Sequence, residues 1–148
     1  MPKILISLLF LVFSASSVQA LDAVYTPFLS DLAIRGYDPV AYFTQQQPVE
    51  GSADWEYEWN GATWRFSSEE NRNRFMNDPE AYAPQYGGYC AWAVAQNKTA
   101  SSDPEQWRII DGKLYLNYNA KVQQDWLQQT DKFIMDADRN WPQLLGDN

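Results

Sequence analysis

The sequence predicts an α+β fold: a small antiparallel sheet built from hairpins, flanking short helices, and a helical C-terminal tail. Three observations carry that reading. Asn60-Gly61 and Asp111-Gly112 each separate short runs of strand-forming residues, and the central positions of a type I′ hairpin turn need the positive φ that Asn, Asp and Gly tolerate. Ser67, with Glu70 three residues on, has the spacing of a capping box at a helix start. Val122, Trp126, Phe133, Ala137 and Trp141 recur at helical spacing, with Leu127 and Ile134 beside them.

Taken in order, residues 1–20 read as a secretory signal peptide. Lys3 gives the positive start, Ile4 to Phe13 is an apolar run broken only by Ser7, and Val18-Gln19-Ala20 is an acceptable variant of the small-x-small cleavage pattern. Cleavage is expected after Ala20, and the product is expected in the periplasm or secreted. The apolar run is about 10 residues, whereas a bilayer span needs about 20, so no membrane anchor is expected after cleavage. Residues 21–148 are expected to form a single domain.

Leu21 to Leu32 has mixed character and is expected to be loosely ordered, with a short helix near Thr26 to Asp31. Gly36 permits a close turn, and Asp38-Pro39 starts a single helical turn that carries Val40 and Phe43 to the core. Thr44 to Asp54 is polar loop. Trp55 to Trp59 alternates apolar and charged residues, the period of a half-buried strand, and Ala62 to Phe66 is its return. A helix follows from Ser67 to about Asn77, and Asp78-Pro79 starts a further turn carrying Tyr82. Gly87-Gly88 lets backbone approach something closely. Tyr89 to Ala95 reads as helix, Asn97 to Pro104 as polar loop, and Trp107 to Asn117 as the second hairpin. Helices are expected from about Ala120 to Asn140, with Asp131 as a cap and Trp141-Pro142 as the end. No internal repeat or low-complexity tract is visible.

The chain carries 11 Lys and Arg against 19 Asp and Glu, a net charge of −8. Such a surface repels phosphate backbones and anionic lipid, so nucleic acid is not an expected partner. There is no histidine, which excludes Ser-His and Cys-His nucleophile pairs and His-based metal sites. One cysteine forms no internal disulfide, so packing must hold the core, and aromatic residues at 16% supply much of it.

Three segments together resemble the YHS domain family. They are Gly36-Tyr37-Asp38-Pro39-Val40-Ala41-Tyr42, Gly61-Ala62-Thr63-Trp64-Arg65-Phe66-Ser67-Ser68-Glu69-Glu70 running on to Phe75, and Asp78-Pro79-Glu80-Ala81-Tyr82. The core of the match spans about 34–82. An extension over 83–145, containing Tyr86-Gly87-Gly88-Tyr89-Cys90-Ala91-Trp92 and Tyr115-Leu116-Asn117-Tyr118-Asn119, resembles a secreted or periplasmic subgroup. Metal-binding relatives carry cysteines after Asp-Pro-Val, at the helix start, and four residues into the helix. Here those positions are Ala41, Ser67 and Asn71, which are expected to cluster without a transition metal.

The remaining chemistry centres on Cys90. At a helix N-terminus its thiol would be shifted toward thiolate, a ligand for Cu(I) or another soft metal, with Met76 as a further donor. Asp38, Tyr42, Tyr86, Tyr89 and Trp92 are candidates to line a pocket with it, Asp38 lying opposite the sulfur. Alternatively Cys90 is a small buried apolar residue, and Asp38 caps its own turn. The rings of Trp55, Tyr57, Trp59, Trp64 and Trp92 line a groove or fill the core. The functional readings are an exported binding module for a soft metal or a periplasmic protein partner, a structural or accessory protein with an inert cysteine, and a thiol-dependent enzyme. No catalytic constellation supports the last.

Overall fold

The computed structural model describes Val12 and residues 20–146. The leader expected over 1–20 otherwise lies outside the described residues.

Both hairpins form where the turn dipeptides predict. β1 (Ser52–Trp59) and β2 (Ala62–Phe66) pair antiparallel with Trp59 opposite Ala62. Asn60 and Gly61 take φ of 51° and 80°, the left-handed values this turn requires. β3 (Asp103–Ile110) and β4 (Lys113–Asn117) pair in the same way around Asp111-Gly112. The hairpins form two separate two-stranded sheets. β3 begins four residues before Trp107, so Asp103 and Pro104, read as loop, belong to the strand.

Among the described residues six α-helices accompany the hairpins: α1 (Ala41–Thr44), α2 (Glu69–Asn77), α3 (Pro79–Tyr82), α4 (Ala91–Ala95), α5 (Ala120–Gln128) and α6 (Thr130–Leu145). The cap of α2 is Ser68, whose Oγ accepts the Asn71 N–H at 3.1 Å, one residue later than the capping box predicts. Asn119 caps α5 in the same manner through the Val122 N–H at 2.9 Å. α6 runs through Pro142 instead of stopping there. Trp141 and Leu144 on either side of the proline pack on the core, which offsets the hydrogen bond the proline removes. The helix ends at Gly146 in a left-handed C-cap.

β4 joins two apolar clusters because successive strand side chains face opposite ways. Leu114 and Leu116 pack with Val40, Tyr42, Trp64, Phe66 and Phe75, whereas Tyr115 packs with Tyr86, Val94, Trp126 and Ala137. The lead-in is tied down and not loose. It contains no helix, only a turn closed by Ser30 N–H to the Pro27 carbonyl. Val24 is buried, Tyr25 N–H donates to the Gly87 carbonyl at 2.9 Å, and Thr63 N–H donates to the Asp31 carbonyl at 2.8 Å. Gly87 is where backbone comes close: a Cβ there would lie 1.8 Å from the Ala23 carbonyl oxygen.

Candidate functional site

Ala41, Ser67 and Asn71 meet around the buried carboxylate of Asp38. Proline fixes the turn that starts α1, so Asp38 Oδ1 faces the N–H groups of Val40 at 2.8 Å and Ala41 at 3.3 Å. The junction of β2 and α2 supplies the rest: Oδ2 accepts from Ser67 N at 2.9 Å, Ser67 Oγ at 2.7 Å and Asn71 Nδ2 at 2.7 Å. Ser67 therefore serves Asp38 and leaves the helix cap to Ser68. Five donors converge on one carboxylate with no solvent exposure. Both oxygens are spent in this cage, so Asp38 does not face Cys90 as an acceptor.

Cys90 lies at the start of α4 and is 1% exposed. Its Sγ approaches Asn117 Oδ1 at 3.6 Å, and that oxygen also accepts the Trp92 N–H at 3.1 Å. Burial pushes the thiol above its ordinary value; backbone N–H groups of Ala93, Tyr118 and Trp92 pull the other way without offsetting it. The expected thiolate is thus corrected: α4 has five residues, and desolvation of the charged form outweighs the pull of so short a helix.

The sulfur borders a shallow pocket of about 160 Å³ lined by Cys90, Trp92, Ala93, Ala100, Tyr118 and Val122. Of the candidates singled out in the sequence, only Cys90 and Trp92 line it. Tyr42 is fully buried and donates to the Pro104 carbonyl at 2.7 Å, with its ring against Trp107. Tyr86 donates to Asp138 Oδ1 at 2.7 Å, and Tyr89 to the Asp22 carbonyl at 2.9 Å. Burial, chiefly, raises all three phenols, and each is committed as a donor. Met76 is 45% exposed on α2 and is not among the residues around the sulfur.

A second cleft of about 360 Å³ has Trp59, Trp64, Glu80, Tyr86 and Trp141 among its walls. Of the five rings considered for a groove, only Trp59 and Trp64 reach it. Trp64 is 1% exposed and belongs to the core, stacked 4.9 Å from Phe75.

Asn117 is the residue that sequence reading overlooks. It is fully buried, donates Nδ2 to Gln123 Oε1 at 3.0 Å, and Gln123 Nε2 continues to the Trp107 carbonyl at 2.9 Å. Its signal is a polar residue closing the apolar run Leu114-Tyr115-Leu116, where a buried amide needs partners.

Among the described residues, no group of three or more His, Cys, Asp or Glu side chains is placed to hold a metal ion, and no helix is long and apolar enough to cross a membrane. Residues 40–86 match the family model for the YHS domain. No curated protein and no solved structure matches the chain.

Proposed function

We propose that this chain, whose residues 40–86 carry the YHS domain match, is an exported binding module that recognises a small apolar ligand group through the Cys90 pocket. The observation that supports this most directly is the pocket itself, an apolar recess of about 160 Å³ with a thiol in its wall. Recesses near that size accept a small aromatic ring or a branched aliphatic group. Among the described residues the pocket wall carries no carboxylate or imidazole beside the thiol, and burial disfavours the thiolate, so a binding role suits the site better than nucleophilic catalysis. Export rests on the leader-like residues 1–20.

The YHS family is associated with metal handling, copper in particular, and that association favours a second reading in which Cu(I) is cargo carried on Cys90. The donor set fits a resident metal poorly. Ala41 offers no lone pair, and Ser67 and Asn71 direct hydrogens at Asp38. Beside the Cys90 sulfur stand backbone N–H groups and one amide oxygen, Asn117 Oδ1 at 3.6 Å, where a soft ion wants further sulfur or imidazole.

Toluene titration followed by amide NMR, alongside Cu(I) titration with elemental analysis, tests both readings. Toluene is expected to perturb Trp92, Ala93, Tyr118 and Val122 selectively, and Val122→Trp to abolish the effect. Absence of any local response would overturn the pocket reading. Tight Cu(I) binding lost in Cys90→Ala would establish the copper reading in its place.

A further inference from the structure

We infer that residues 86–128 are a second, diverged copy of the folding unit formed by 34–77, so that Cys90 occupies the place of Asp38. No repeat is apparent in the sequence, but the backbone carries one. The unit opens on two consecutive left-handed residues and a glycine: Ile34, Arg35 and Gly36 at φ 50°, 51° and 85°, then Tyr86, Gly87 and Gly88 at 57°, 60° and 82°. A tyrosine follows each glycine, closed in both cases by a 3.0 Å N–H bond to the first residue of the turn. Next come Asp38 and Cys90, whose N–H groups donate to the carbonyls of Val49 at 2.8 Å and Ala100 at 3.0 Å.

From the strands onward the two copies stay in step. Ser52↔Phe66 and Trp59↔Ala62 in the first hairpin correspond to Asp103↔Asn117 and Ile110↔Lys113 in the second, and each register shifts after its first pair. Ser68 corresponds to Asn119, and each caps its helix by accepting the N–H three residues on. Fully buried Phe75 corresponds to fully buried Trp126, stacked on Trp64 and on its counterpart Tyr115, with ring centroids at 4.9 and 5.4 Å. Turn geometry, register, capping and core stacking are separate features, and one duplication accounts for all of them.

The positions of the cage repeat as well. Asp38 accepts the N–H groups of Val40, Ala41 and Ser67; the N–H groups of the counterparts Trp92, Ala93 and Tyr118 are those that pull on the Cys90 thiol, although the Trp92 N–H donates to Asn117 Oδ1 at 3.1 Å, the oxygen that the sulfur also approaches. Ser67 and Asn71, which complete the first cage through their side chains, correspond to Tyr118 and Val122. Both line the pocket. The pocket is thus the opening left where the second copy lacks those two polar side chains. This correspondence does not depend on the proposed function.

Thermal unfolding of four proteins tests it: unsubstituted, Cys90→Asp, Tyr118→Ser with Val122→Asn, and all three changes together. Cys90→Asp puts a buried carboxylate beside the backbone donors and the Asn117 Oδ1 acceptor without the side-chain donors of the first cage, and Tm is expected to fall by roughly 5–10 °C. Adding Tyr118→Ser and Val122→Asn to it is expected to recover most of that fall, although the pair alone lowers Tm. Simple addition of the losses would overturn the inference. If the triple variant does not fold, an experimental structure of the unsubstituted chain decides. Cα positions of 34–77 should superpose on 86–128 with Asp38 on Cys90, and a second hairpin in another register would overturn it.

Discussion

Replacing Asp38 by alanine should be among the most damaging single changes in the chain. The side chain is fully buried and takes five hydrogen bonds from the Val40, Ala41 and Ser67 N–H groups, Ser67 Oγ and Asn71 Nδ2. Each bond to a charged acceptor contributes about 1.5–3 kcal/mol, and an unpartnered buried donor costs about 1–3 kcal/mol. Those figures do not sum, because Ser67 Oγ rotates, Asn71 reorients and water enters the vacated space. A net loss of about 3–5 kcal/mol remains, against a typical total stability of about 5–15 kcal/mol. Urea unfolding followed by tryptophan fluorescence measures it directly: the midpoint should fall with an unchanged m-value. Ser67→Ala, which removes one of the five donors, should cost about 1–2 kcal/mol. A loss below about 1 kcal/mol for Asp38→Ala would refute the claim that this carboxylate ties α1 to the start of α2.

Three further outcomes are expected. Burial holds the Cys90 thiol protonated in the folded chain, so the unfolded chain ionises first as pH rises through the ordinary thiol value near about 8.5. Above that value the unfolded state binds fewer protons, so stability should decline with pH, and Cys90→Ala should lack this component in urea melts between about pH 8 and 9.5. Gly87→Ala should cost about 3 kcal/mol or more, because its Cβ would meet the Ala23 carbonyl at 1.8 Å, whereas Gly61→Ala, with open space around its Cβ, should cost only about 1–2 kcal/mol of left-handed backbone strain; equal costs by chemical denaturation would contradict the docking of the lead-in. Ser68→Ala should remove about 1 kcal/mol of capping energy, read as a fall in the urea midpoint.

What the sequence made legible was local. Asn60-Gly61 and Asp111-Gly112 declare their turns because left-handed φ at two successive positions admits few residue types. Ser67 and Ser68 both suit the local capping pattern, so the sequence alone leaves the cap ambiguous by one residue. The choice between them is made by Asp38, 29 positions from Ser67 in sequence. Pro142 is a stop signal in the sequence, but packing of Trp141 and Leu144 overrides it. At Cys90 the helix end was visible and the desolvation was not, since burial comes from segments far along the chain. Asn117 is inconspicuous in the sequence for the same reason. The duplication was hidden because its core pairs exchanged ring types, Phe75 for Trp126 and Trp64 for Tyr115. Only short identities such as Gly36-Tyr37 and Gly88-Tyr89 remain.

The Asp38 cage also fills, with hydrogen bonds, the place where the metal-binding domains that the sequence resembles carry thiolates. In such relatives a cation would balance the charge of clustered thiolates. Here one carboxylate carries the charge, and five donors balance it through hydrogen bonds. A cation entering the cage would have to turn Ser67 Oγ and Asn71 Nδ2 away from Oδ2, breaking two bonds to a charged acceptor. In return it would find a hydroxyl, an amide oxygen and one carboxylate, beside the methyl group of Ala41. A hard ion wants six or more oxygens, and a soft one wants sulfur or imidazole. The hydrogen-bonded cage is therefore the more stable filling of that space. The second copy, which has neither Ser67 nor Asn71 at the corresponding positions, places a buried thiol there, and its one recorded side-chain contact is Asn117 Oδ1 at 3.6 Å.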